Sequence, residues 1–135
     1  MTTAASTTRT DDRLLAWAVV LIALHSVAVG LVLVFAGSWG AAFGGWGEVS
    51  PQFFVRQFGV FHFAIAAAYL IEFFRYSGVR ILIAAKSIAV VSLLVATGVD
   101  GGPWAVPASA VGDGAMAAVV WWLARRQGAS PTLRP

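Results

Sequence analysis

Four runs of about 20 predominantly apolar residues, each long enough to cross a hydrocarbon core as a helix, account for most of this chain. They extend from Leu14 to Phe35, Phe53 to Phe74, Ile81 to Gly98 and Trp104 to Ala124. At about 1.5 Å per residue the first crosses roughly 33 Å, the thickness of a bilayer interior. A secretory signal is the competing reading of that run, since Arg9 and Arg13 precede it and small residues follow at Ala36 to Ser38. Signal cores are much shorter, which favours a retained helix. Composition agrees: 59% of the 135 residues are hydrophobic and 11% are charged, against roughly 25% charged in a soluble domain. A soluble fold of this size could not hide so much apolar surface.

The spans are separated by clear punctuation. Between the first and second, five glycines from Gly37 to Gly47 interleave with Trp39, Phe43 and Trp46, a composition suited to an interfacial loop or short re-entrant turn. Ser50 and Pro51 are then expected to supply an N-cap and a first-turn proline. Tyr76-Ser77-Gly78 makes a tight turn before the third span, and Gly101-Gly102-Pro103 another before the fourth. The chain therefore reads as one all-α membrane domain over residues 14–126, an antiparallel up-down four-helix bundle. A Thr- and Ser-rich flexible tail over 1–13 and a polar tail over 127–135 flank it.

Charge sets the expected orientation. With four spans, Arg9, Arg13, Arg75, Arg80, Arg125, Arg126 and Arg134 all fall on one side, and only Arg56 lies near the other. The positive-inside rule makes that side cytoplasmic, so both termini are expected inside a bacterial inner membrane. Trp17, Trp121 and Trp122 mark the inner interface, and Trp39, Trp46 and Trp104 the outer one. The net charge of +3 is dispersed and forms no basic stripe with stacking aromatics, which argues against nucleic acid as a partner. Small residues one turn apart, at Ser26 and Gly30, Ala64 and Ala68, Ala85 and Ala89, and Ala110, Gly114 and Ala118, predict close helix packing, within one bundle or between copies.

Ionisable residues within a span are costly and mark candidate sites. Helical rise puts His25, His62 and Asp113 at one depth, about 16–18 Å from the cytoplasmic boundary, on three different helices. They form a candidate midplane cluster in which Asp113 accepts a hydrogen bond from His25 or His62. On the second span His62, Ile65, Tyr69, Glu72 and Tyr76 share a face. Glu72 and Lys86 lie at similar depths near the cytoplasmic turn, a candidate ion pair joining the second and third spans. Arg56 and Asp100 are candidate outer-side contacts, with Arg56 reaching lipid phosphates, an anionic ligand head, or the carboxylates of Asp100 or Glu48.

The absence of cysteine removes disulfides, thiolate metal sites and thiol nucleophiles. No phosphate loop, HExxH or nucleophile elbow occurs, and no catalytic residue or metal site is expected. His25 and His62 could serve as paired axial ligands of haem b, and a quinone could reach the same histidines, but neither cofactor is the primary expectation.

The layout from Leu14 to Arg126, with Arg56-Gln57-Phe58-Gly59 opening the second span and Gly112-Asp113-Gly114 in the fourth, resembles the DoxX-like group of small four-helix bacterial membrane proteins. That resemblance implies a four-span fold and is compatible with a subunit of a respiratory, quinone-linked or sulfur-oxidising complex. The cysteines tied to thiol chemistry in part of that group are absent here. The leading expectation is a non-enzymatic accessory or binding subunit whose polar cluster organises the bundle or holds a small partner. One alternative is a haem- or quinone-linked redox subunit. The other is a small transporter or proton conductor using Glu72, Lys86 and His62, working as a homo-oligomer or within a larger membrane complex.

Overall fold

In lipid every backbone amide must find its partner within the protein, and a helix does so within a single segment. The computed structural model describes the backbone of residues 4–127 and the side chains from Asp12 to Gln127. Five helices follow one another, α1 (Ala4–Phe35), α2 (Gly37–Phe43), α3 (Gln52–Tyr76), α4 (Arg80–Asp100) and α5 (Ala105–Arg126), with no strand among the described residues. Four of them contain stretches long and apolar enough to cross a membrane: Asp12–Phe35, Gln52–Tyr76, Arg80–Asp100 and Ala105–Arg126. The chain has the makings of a multi-pass membrane protein.

Several boundaries differ from expectation. Helix α1 starts at Ala4, so the segment before Leu14 that was expected as a flexible tail is helical through most of its length. Extending an existing helix costs far less than nucleating one, which lets α1 recruit residues of ordinary propensity. Of the polar tail expected over 127–135, residues 128–135, with Arg134, lie outside the described residues. The glycine- and tryptophan-rich connection contains the short helix α2, resting on α1 and α3. Pro51, not Ser50, occupies the N-cap of α3 in an extended conformation and makes no side-chain capping bond. The Gln52 side chain closes the turn by donating from Nε2 to the Val49 carbonyl at 2.7 Å.

The helices form two principal pairs, α1 with α3 and α4 with α5. A smaller contact between α1 and α5 joins the pairs, and α3 touches α4 only sparingly. The alternating direction of the spans is visible in the core. Leu15, Val19 and Ile22 near the start of α1 pack with Tyr69 late in α3, Leu82 early in α4, and Val120 and Leu123 late in α5. Arg13, Arg75, Arg80, Arg125 and Arg126 therefore gather at that end of the molecule. Arg125 lies over the Trp121 ring and Arg126 over the Trp122 ring, 3.9 and 3.6 Å from the ring centroids. At the opposite end Trp104 donates from Nε1 to the Phe43 carbonyl at 3.1 Å, and Phe43 packs edge-on to Trp104 and stacked on Trp39. This ties α2 to the start of α5.

The α1–α3 pair depends on two glycines. A methyl group at Gly59 would come within 2.8 Å of the Gly30 carbonyl oxygen, and one at Gly30 within 2.9 Å of the Gly59 carbonyl oxygen. The two backbones touch where neither helix carries a side chain, the close approach that small residues permit between membrane helices. Of the expected small-residue pairs, Ser26 and Gly30 on α1 thus face a partner helix, but the matching surface on α3 is Gly59 and Ala66. Gly112 of α5 has open space where a side chain would begin. Gly59→Val should lower stability by about 1–3 kcal/mol through overpacking, whereas Gly112→Ala should leave it unchanged or slightly raised. Thermal unfolding of both variants in mild detergent, followed by helical circular dichroism, checks the contrast.

Candidate functional site

A charge inside a hydrocarbon core is tolerated when an opposite charge neutralises it. In this protein Lys86 of α4 donates from Nζ to Oδ1 of Asp113 on α5 at 2.5 Å, with side chains 10% and 17% exposed. This is the only ion pair among the described residues within the spans, and it fastens the α4–α5 pair near mid-span. It replaces both pairings expected from sequence, Lys86 with Glu72 and Asp113 with a histidine. Depth counted along a helix fixes only the Cα atom, and the four-methylene stem of lysine can carry its charge to a different level.

Glu72 is committed elsewhere. Its Oε1 accepts from the Arg80 backbone amide and its Oε2 from the Ile81 amide, both at 2.8 Å. These are the first amides of α4, which have no intrahelical acceptor, and the N-cap residue Val79 provides no side-chain bond. The carboxylate of one span thus caps the next and also meets the positive end of its dipole. The turn is shaped to allow this. Ser77 takes the left-handed conformation with φ 51° at the end of α3, and a side chain at Gly78 would come within 2.9 Å of Glu72 Oε1.

Because α3 and α4 scarcely touch, a cleft of about 540 Å³ lies between them. Its floor is polar: Ser26 from α1, His62 and Tyr69 from α3, Lys86 from α4 and Asp113 from α5. Its apolar walls are Phe61, Ala64 and Ile65 on one side and Ala85, Ile88 and Ala89 on the other. Ser26, Tyr69 and Lys86 are buried, whereas Phe61, Ala64 and Ile88 are exposed at the rim. Ala85 packs against the core and, with Ala89, also borders this gap, where larger side chains would fill space. All the lining residues of α3 and α4 fall away from the ends of those helices, so the opening is on the side of the bundle.

The hydrogen-bonding capacity of the floor is only partly used. Lys86 spends one of its three N–H groups on Asp113, whose second oxygen has no partner among the described residues. The Tyr69 hydroxyl also has none, although that residue is 3% exposed and lies within electrostatic range of Asp113. His62 holds Nδ1 2.8 Å from the Phe58 carbonyl oxygen, which can only accept. Nδ1 therefore carries the proton, and in the neutral ring Nε2 is left as an acceptor.

The other expected site residues are placed differently. His25 is exposed on α1 and does not line the cleft, although it is within electrostatic range of Lys86, Asp113 and His62. The midplane cluster is therefore Lys86, Asp113, His62, Tyr69 and Ser26, with His25 at its margin. Arg56 and Asp100 are exposed and make no ion pair with each other, and Glu48 makes none with Arg56, so the expected pairing is not formed. No group of three or more potential metal ligands occurs among the described residues. Tyr69 was legible as part of the His62 face; the membership of Ser26 and Lys86 required the helix rotations.

No family model, curated protein or solved structure matches this chain.

Two variants test the electrostatic frame. Lys86→Met leaves the largely buried Asp113 without its counter-charge and should cost about 3 kcal/mol, while Lys86→Met combined with Asp113→Leu should recover most of the loss. Glu72→Ala strips two charge-assisted bonds from the start of α4 and should cost about 2–3 kcal/mol. Unfolding midpoints in detergent, measured side by side, provide the comparison.

Proposed function

We propose that this chain is a non-enzymatic accessory or binding subunit of a bacterial inner membrane, which takes a small membrane-dissolved molecule into the cleft between α3 and α4. The observation that carries the reading is the combination of a lateral opening, apolar walls and a floor with unspent donors and acceptors. Concave, mostly apolar sites with a few convergent polar groups are the usual form of small-molecule sites. A purely structural ion pair would need no space beside it. The gathering of Arg13, Arg75, Arg80, Arg125 and Arg126 at one end supports placing that end, with both termini, on the cytoplasmic side. The four-span layout is in keeping with membership of the DoxX-like group.

The alternative roles draw less support from the geometry. A proton relay through Glu72, Lys86 and His62 would have to pass through a carboxylate held by two backbone amides and an ammonium held by Asp113. A haem held by His25 and His62 would need both rings to face one gap, and only His62 lines the cleft.

The test is direct. Protein purified in mild detergent is extracted with organic solvent, and the extract is analysed by mass spectrometry. A small amphiphile is expected at near-stoichiometric amount, and it should be lost from Ala64→Trp, which plugs the cleft from its exposed rim. Equal recovery from both proteins overturns the reading. An oxidised and dithionite-reduced absorption spectrum accompanies the extraction and is expected to be featureless in the visible. A Soret band abolished by His62→Ala would transfer the assignment to haem.

A further inference from the structure

The position and lining of the cleft also constrain the chemistry of its occupant. The opening is at mid-span, so a diacyl phospholipid would have to draw its charged headgroup far from the interface to place it on the floor. A molecule that already resides in the hydrocarbon, with one small polar group and an apolar chain, meets no such cost. Its chain would follow Phe61 and Ile88 out through the rim, beside the lipid tails.

The floor then selects the polar group. On the α4–α5 side Lys86 has N–H groups to give, and its charge is already balanced by Asp113. A second anion would leave a net negative charge in a low-dielectric site, so an acidic ligand must bring a proton that it keeps or shares with His62. On the α3 side neutral His62 has Nε2 as an acceptor, and the Tyr69 hydroxyl, about two turns further along, is also free. The two sides therefore ask for opposite roles: a ligand oxygen that accepts from Lys86 and a ligand O–H that donates to His62. A ketone or quinone satisfies the first and leaves His62 unanswered. A single hydroxyl oxygen must serve both sides from one point. A carboxyl group with its proton carries an acceptor and a donor on two separate oxygens and can bridge the walls.

We infer that the cleft binds a long-chain fatty acid together with its acidic proton, with one carboxyl oxygen accepting from Lys86 and the other sharing that proton with His62. This assignment rests on the cleft being a binding site, and it adds the class of ligand. His62 is then the residue that distinguishes an acid from its esters, and the Lys86–Asp113 pair the element that disfavours an anion arriving without a proton.

The experiment measures binding of radiolabelled palmitic acid to the full chain in detergent, with methyl palmitate, hexadecanol and a decyl-substituted benzoquinone as competitors. Methyl palmitate keeps the carbonyl and cannot donate, so it should compete about tenfold more weakly than unlabelled palmitic acid, the cost of one unanswered buried acceptor. Hexadecanol and the quinone should also fall behind the acid. In His62→Phe, acid and ester should compete equally, and in Ala64→Trp all specific binding should disappear. Both variants are checked for helical content and monodispersity. Parity of the ester, the alcohol or the quinone with the acid, with binding still blocked by Ala64→Trp, overturns the fatty-acid assignment and leaves the cleft as a site for another molecule. Absence of specific palmitate binding also overturns it, and the solvent-extract comparison then decides separately whether the cleft binds anything. Binding that survives in Ala64→Trp overturns both.

Discussion

The Lys86–Asp113 ion pair is the interaction on which the arrangement of the second half of the chain depends. In hydrocarbon neither charge is tolerable alone, so the two helices that carry them must meet in a rotation that brings ammonium and carboxylate together. Apolar contact cannot impose that rotation, because lipid tails attract the same surfaces equally well. The pair gives α4–α5 a defined register. Steric fit does the corresponding work for α1–α3, where Gly30 and Gly59 let two backbones meet. One half of the molecule is thus fixed by charge and the other by shape.

The cleft is a consequence of this division. Each helix pair satisfies its own strongest interaction internally, and little remains to draw α3 against α4. Alanines on both facing surfaces, Ala64 on one side and Ala85 and Ala89 on the other, are too small to fill the gap. The ion pair lies at the base of that gap with part of its hydrogen-bonding capacity unspent. The same groups that hold α4 to α5 are thereby available to a ligand, which couples stability and binding at one place.

The arginine-rich end is held by a different device. Glu72 reaches from the close of α3 to the opening amides of α4, so the one link between these helices along the chain is also a hydrogen-bonded joint. The joint holds the helices together at that end while the gap opens at mid-span. The core formed by Leu15, Val19, Tyr69, Leu82 and Val120 lies at the same end and draws on all four spans. The opposite end is held by aromatic contacts, with Trp104 bound to the last residue of α2. A molecule secured at both ends and sparingly packed in between has room for a lateral opening.

Much of the fold was legible in the sequence. Four long apolar runs, with glycine, proline and arginine between them, determined the number of candidate spans, their approximate limits and the alternating direction of their helices, because backbone hydrogen bonding in lipid permits little else. The sequence likewise singled out Lys86, Asp113, His62 and Glu72, since a polar group in a span is conspicuous wherever it sits. Their partners were decided only by tertiary structure. Depth along a helix follows from counting residues, but a helix apolar on every side carries no signal of which face turns inward. The rotation that gave Lys86 to Asp113, freed Glu72 to cap α4 and left His25 outside the cleft came from interactions between residues far apart in the chain. Those interactions exist only once the helices have packed.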